Sequence, residues 1–281
     1  MSSDVDAVVT VHPPRADADR RIAVLYLHGG GLLYGERDDL PTPYVQALTQ
    51  AGYELVCADY PLCPEASLPQ VVDAVFRTWH SAVGERALSG ELDGFVLFGR
   101  SAGAHLALML ARAIRQHGLP APLGILDFYG YPGLTDASFE RPAKAYAALP
   151  AVEHSFVERF AGDEPVTSGP KALRYGLYVY ARQHAGAWLE LLGLDGSSPE
   201  RTREAWNLSA EEIAALPPVF ACASTGDEDV PYGLGKRFAR SCPSAVFRTV
   251  YDAPHDFDRD TSRPEGMQMY RAAIAWMERL A

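Results

Sequence analysis

Apolar residues in this chain are grouped in two alternating ways. Short, unbroken runs fall at Val5–Val11, Ile22–Leu27, Tyr53–Ala58, Phe95–Gly99, Leu123–Tyr129, Pro218–Ala223 and Ala245–Tyr251. Most lack the apolar–polar alternation of a strand with one wet face. Continuous runs of this length predict parallel strands covered on both sides. Between them lie stretches with apolar residues three or four apart, among them "LPQVVDAVFRTWHSAV", "AGAHLALMLARAIRQHG" and "GMQMYRAAIAWMERLA". These predict helices with one buried face, and Gly118 gives the second of them a stop signal. The alternation predicts a mostly parallel, twisted sheet of about seven strands with helices on both faces. Ligands of such a sheet are expected at the carboxyl ends of its strands.

The rhythm fails once. From 131 to 216 no run reads as a strand, and Ala-rich and aromatic patches predict several helices around the loop "AGDEPVTSGP". Long inserts in compact domains are usually functional. The chain is therefore read as one domain over 1–281, with 131–216 as a helical lid insertion over the carboxyl edge. The competing reading of that interval is a second small unit unrelated to the site.

Composition narrows the partners. The chain is 48% hydrophobic and 22% charged, with a net charge of −11 and scattered Lys and Arg. That pattern argues against nucleic acid or an anionic membrane as the main partner. No apolar run approaches the ~20 residues that span a bilayer. The opening "MSSDVDAVVTVHPPRADADRR" lacks the basic start and apolar core of a signal peptide, so a cytoplasmic location is expected. Cys57, Cys63, Cys222 and Cys242 form no CxxC pair and are expected to be reduced thiols. The eight histidines show no ligand spacing, so no metal and no cofactor are expected.

Two glycine-rich motifs follow predicted strands. Gly99-Arg100-Ser101-Ala102-Gly103 joins the run "FVLFG" to a helix, the placement of a nucleophile elbow that exposes its serine in a tight turn. His28-Gly29-Gly30-Gly31 follows "IAVLYL". Three glycines in a row sacrifice packing and chain stiffness, which suits a loop whose bare N–H groups must approach a developing negative oxygen. Gly29, Gly30 and Gly31, with the N–H of Ala102, are the candidate oxyanion hole. A phosphate cradle is the rival reading, but no GK[ST] or GxGxxG accompanies the loop.

A nucleophilic serine needs a base. His255, in "YDAPHDFD", lies in a loop just past the last β-prone run and can reach over Ser101. His28 is expected to make a structural hydrogen bond and His105 to pack in the core. Because His255 must be neutral to accept a proton, activity is expected to rise through about pH 6–7. The loop after the preceding strand, "STGDEDVPY", offers Asp227, Glu228 and Asp229 as the orienting acid.

Taken together, these stretches resemble the hormone-sensitive-lipase-like branch of the α/β-hydrolase fold. "HGGGLLYG" resembles its HGGG[FW]xxG oxyanion loop, and "DYPLCPEASLPQVVDAV" looks like its D-Y-R-L-A-P-E stretch. "GRSAGAHLAL" matches G-[DHR]-S-A-G-[GA]-x-L-A. "STGDEDVP" is similar to G-x-x-D-x-x-V-P, with Ser224 in the first glycine's place. The resemblance implies a triad of Ser101, Asp227 and His255. Asp229 is then expected to cap the next helix, and Glu228 to face solvent. Arg100 departs from the Asp usual before the serine, and the branch's N-terminal cap helices are not recognised here. The implied function is a serine carboxylesterase for small to medium acyl esters, with a small-molecule ester as partner and homo-oligomerisation left open. The same triad also serves aryl formamidases, amidases and peptidases, and the same fold serves ligand receptors that have lost the histidine. Tyr175, Tyr178, Tyr180 and Trp188 either line the substrate pocket or pack the lid helices.

Overall fold

The computed structural model of the chain describes residues 8–280. Seven strands form one sheet: β1 (Val9–His12), β2 (Ile22–Leu27), β3 (Glu54–Ala58), β4 (Gly94–Arg100), β5 (Gly124–Phe128), β6 (Val219–Ser224) and β7 (Ala245–Val250). Their order is β1-β3-β2-β4-β5-β6-β7. All neighbours run parallel except β1, which pairs antiparallel with β3. Each predicted run overlaps a strand. At the first, the strand is Val9–His12, and Val5–Ala7 lie outside the described residues.

The continuous apolar runs have a direct structural cause. All six side chains of β2 are buried. Ala23, Leu25 and Leu27 enter one core, while Ile22, Val24 and Tyr26 enter the other. Among the described residues six helices run nine residues or longer: α1 (Thr42–Gln50), α2 (Leu68–Trp79), α3 (Ala102–Gln116), α4 (Lys171–Gln183), α5 (Tyr232–Ser241) and α6 (Pro264–Met277). Buried residues of α2, α3 and α5 pack on the first face. Those of α1 and α6 pack on the second, where Tyr44 and Tyr270 stack at 3.9 Å. A strand wet on neither face has no polar positions to alternate. The edge strand β1 is only partly covered, and its Val11 is exposed.

Between β5 and β6 the described chain makes helices and turns without a strand, α4 being the longest helix. Four loops converge at the carboxyl ends of β2, β4, β6 and β7. They carry His28 to Gly31, Ser101, Asp227 and His255 in that order.

Candidate active site

Ser101 sits between β4 and α3 with φ 53° and ψ −120°. That left-handed strain is tolerated because the flanking chain over-determines it. Gly103 shows why a side chain is excluded there: a Cβ would lie 2.1 Å from the Leu27 carbonyl oxygen. The turn is locked further by the Ser101 N–H, which donates to Phe128 O at 2.8 Å.

The sequence-derived residues come together in an unbroken polar line. Ser101 Oγ lies 2.7 Å from His255 Nε2, and His255 Nδ1 lies 2.6 Å from Asp227 Oδ2. The other Asp227 oxygen accepts the N–H groups of Asp229 at 2.9 Å and Val230 at 2.8 Å. Both carboxylate oxygens are thus satisfied and the side chain is fully buried, so the acid is fixed in one orientation. Ser224 ties this loop to the histidine loop by donating to Ala253 O at 2.6 Å and accepting its N–H at 3.1 Å. The serine replaces a patterned glycine because its hydroxyl is the clip.

Two opposing influences act on the His255 imidazole. Burial pulls its pKa down, but the Asp227 carboxylate, with Asp229 and Asp256 further off, holds it above the ordinary histidine range. That direction runs against a rise of activity through about pH 6–7, the expectation from the sequence. An adjoining buried carboxylate favours the charged ring.

The glycine loop lies against the serine. A Cβ on Gly29 would be 3.3 Å from Ser101 Cβ. Gly30 and Gly31 have φ of 99° and 59°, and a Cβ on Gly31 would meet the Tyr178 ring at 2.0 Å. Ala102 is the first residue of α3, so its N–H lies ahead of the helix ladder. Behind the loop, His28 Nδ1 lies 2.8 Å from Gly29 O and 3.0 Å from Tyr60 Oη, with the two rings stacked at 4.1 Å. Burial lowers its pKa, which keeps the ring neutral. His105 is wholly buried against Tyr131, as expected of a core histidine.

Asp229 does not cap a helix. Pro231 occupies the N-cap of α5, and the loop turns the Asp229 carboxylate back toward the insertion. There it accepts from Tyr178 Oη at 2.7 Å, Tyr146 Oη at 3.0 Å and Arg182 Nε at 2.9 Å. Glu228 is exposed and faces Lys144 at 3.6 Å. Arg100 also carries a role that sequence reasoning missed. Its buried guanidinium donates to Asp258 Oδ1 at 2.8 Å and Tyr129 Oη at 2.7 Å, and Asp258 also accepts from Tyr129 and Tyr270. The one signal was the departure at position 100 from the family's Asp. Its partner Asp258 is three residues past His255, too far along the chain for spacing to link them.

Above Ser101 opens a cleft of about 190 Å³, bordered by Gly29 to Gly31, His255 and the tyrosines Tyr34, Tyr146, Tyr175 and Tyr178. Trp188 borders a second, smaller space beside Ser101. Tyr180 instead packs among Val157, Leu177 and Ala187 inside the insertion. No group of three or more His, Cys, Asp or Glu that could hold a metal exists among the described residues. No described helix is long and apolar enough to cross a membrane.

The family model described as alpha/beta hydrolase fold matches residues 24–173, just over half the chain. The chain belongs to the α/β-hydrolase fold family. It is similar to an alpha/beta hydrolase superfamily protein from Enterococcus faecalis, with 29% identity and a TM-score of 0.83 over 97% of this chain and 95% of that one. A protein with unknown function from Staphylococcus aureus subsp. aureus Mu50 gives 28% identity and a TM-score of 0.85 over 98% and 94%. An esterase from Pyrobaculum calidifontis shares the fold at 20% identity, with a TM-score of 0.65 over 96% and 79%. The non-reducing polyketide synthase ausA of Aspergillus calidoustus is 32% identical over 181 residues, 59% of this chain but 7% of the synthase. The chain thus spans a small fraction of the curated relatives it matches.

Proposed function

We propose that this chain is a serine carboxylesterase of the hormone-sensitive-lipase-like branch, hydrolysing small to medium acyl esters. The observation that carries the reading is the continuous line from Ser101 through His255 to Asp227 beneath a loop of side-chain-free backbone. Ser101 Oγ attacks the ester carbonyl carbon while its proton passes to His255 Nε2. The carbonyl oxygen becomes negative and is met by the N–H groups of Gly30, Gly31 and Ala102, with Gly29 as a further donor. Asp227 holds the tautomer and offsets the imidazolium charge. The proton then moves to the alcohol oxygen, the C–O bond breaks, and an acyl-enzyme remains. Water attacks that ester as its proton passes to His255, the acid departs, and Ser101 regains its hydrogen.

The 131–216 insertion acts as a lid in this reading, since Tyr146, Tyr175 and Tyr178 reach the cleft from it. All four cysteines are buried, unbridged thiols, which supports a reducing, cytoplasmic setting. The test is hydrolysis of p-nitrophenyl acetate together with labelling by a fluorescent organophosphonate. Ser101→Ala is expected to abolish labelling and to lower kcat by about 10⁴-fold or more. Persistent labelling or unchanged turnover in that variant overturns the proposal.

A further inference from the structure

Ser101 borders two spaces of very different size. The cleft of about 190 Å³ is also bordered by His255. The other is a recess of about 10 Å³ behind Gly31, and among the described residues His255 does not border it. The chemistry assigns one ester half to each. His255 must deliver a proton to the departing alcohol oxygen, so the alcohol leaves on the His255 side and occupies the cleft. The acyl group, which never receives that proton, points the other way.

The recess is walled by packed aromatic rings and by the buried Arg182–Asp229 ion pair with Val230. Tyr131, Phe139 and Trp188 form its aromatic wall, with ring centroids 4.9 Å, 5.1 Å and 5.9 Å apart, and each is buried. Trp188 cannot swing aside freely, because its Nε1 donates to Gly31 O at 2.9 Å. Tyr178 closes another side and is held by Asp229. A space of ~10–15 Å³ holds one water-sized group, which is the size of a methyl. Densely packed rings do not yield room for more without strain.

We infer that the chain is an acyl-length-restricted esterase, selecting acetyl groups on bulky alcohols, with Phe139 and Trp188 as the residues that set the limit. This rests on the esterase reading and narrows it. The cleft's tyrosines and the charged Glu36, Lys171 and Arg259 at its border suit a polar alcohol carrying a ring.

The experiment is a p-nitrophenyl ester series from acetate to octanoate, with 4-methylumbelliferyl acetate as a larger alcohol of similar leaving ability. kcat/KM is expected to fall by about tenfold or more from acetate to butyrate, the scale of one or two methylenes a pocket rejects. It should fall further to octanoate, while the larger alcohol costs little. Phe139→Ala is expected to raise the butyrate-to-acetate ratio by about tenfold. If circular dichroism shows that variant unfolded, Phe139→Leu makes the same comparison with a smaller void. Butyrate or hexanoate turned over as well as acetate overturns the inference, and so does an unmoved ratio in a folded variant. A length profile that is flat while Ser101 still labels condemns only the acyl limit. Absence of both hydrolysis and labelling condemns the esterase reading itself.

Discussion

Asp227 and Asp229 stand two residues apart and do different work, a distinction made by their partners rather than by their chemistry. Asp227 gives one oxygen to His255 and the other to two backbone N–H groups. Asp227→Asn is expected to lower kcat by about 10⁴-fold, because an amide favours the wrong imidazole tautomer. The pH dependence follows from the same contact. As the proposed base, His255 acts when neutral, and its pKa is held above the ordinary range. The rising limb of kcat/KM should therefore centre above pH 6.5, and in Asp227→Asn the residual activity should show a limb moved to lower pH, since only the more distant Asp229 and Asp256 then oppose burial. A limb that stays in place would show that Asp227 does not set this charge. Gly31 is as constrained as the acid. Its φ is 59° and a Cβ would strike the Tyr178 ring. Gly31→Ala should cost roughly 10²–10³ in kcat, the scale of one lost oxyanion donor, while its circular dichroism stays that of the parent. Unfolding in that variant would assign the glycine to the fold instead.

At the scale of elements, the site depends on how the helical insertion is fastened to the sheet. Asp229, on the loop after β6, receives two tyrosines and an arginine from the insertion, and Arg182 and Asp229 are both nearly fully buried. Breaking such a pair leaves a buried charge without its counterpart, at about 3–5 kcal/mol. Asp229→Asn should lower the unfolding free energy on that scale, and it should expose the region around Tyr146–Gln183 to limited proteolysis before the sheet. Equal protection of the insertion in variant and parent would mean that other contacts hold it. Asp229 was misassigned from sequence for a physical reason. Its spacing to Pro231 and α5 is that of a capping residue, and nothing local reveals that its ligands lie 47 to 83 residues away. The strands were legible because burial on both faces leaves an unbroken apolar run, whatever the neighbours are. The hydrogen-bonded line of Ser101, His255 and Asp227 was legible because its members sit at strand ends, where chain order and spacing restrict the choice. The aromatic wall of the recess was not. Tyr131 and Phe139 read as ordinary apolar residues, and Trp188 as either pocket lining or lid packing, until the helices fold them around the space beside Ser101.

For the whole molecule, the buried Arg100 network is the feature that joins the Ser101 turn, the His255 loop and both halves of the sheet. Arg100 ends β4, Tyr129 follows β5, Asp258 follows His255, and Tyr270 belongs to α6. Tyr26 of β2 lies 3.3 Å from the guanidinium, and Asp39, which accepts from Tyr26 Oη, lies 3.6 Å from it. A neutral residue could fill the same volume, so the ion pair sets the spacing between the elbow and the histidine loop at the cost of burying two charges. Arg100→Met should then be destabilised by about 3–5 kcal/mol, because Asp258 stays buried without its cation. Tyr129 and Tyr270 still donate to that carboxylate, but hydroxyls do not neutralise it. Removing the second charge as well, in Arg100→Met/Asp258→Asn, should recover part of the loss rather than add to it. Denaturant unfolding of parent, both single variants and the double variant measures the coupling. A double variant less stable than Arg100→Met alone would show that the two charges act independently. The recovered protein should remain slower than the parent in ester turnover, since stability can return without the link that spaces Ser101 from His255. If kcat returned in full, the network would be a fold element alone and its position beside the serine would carry no function.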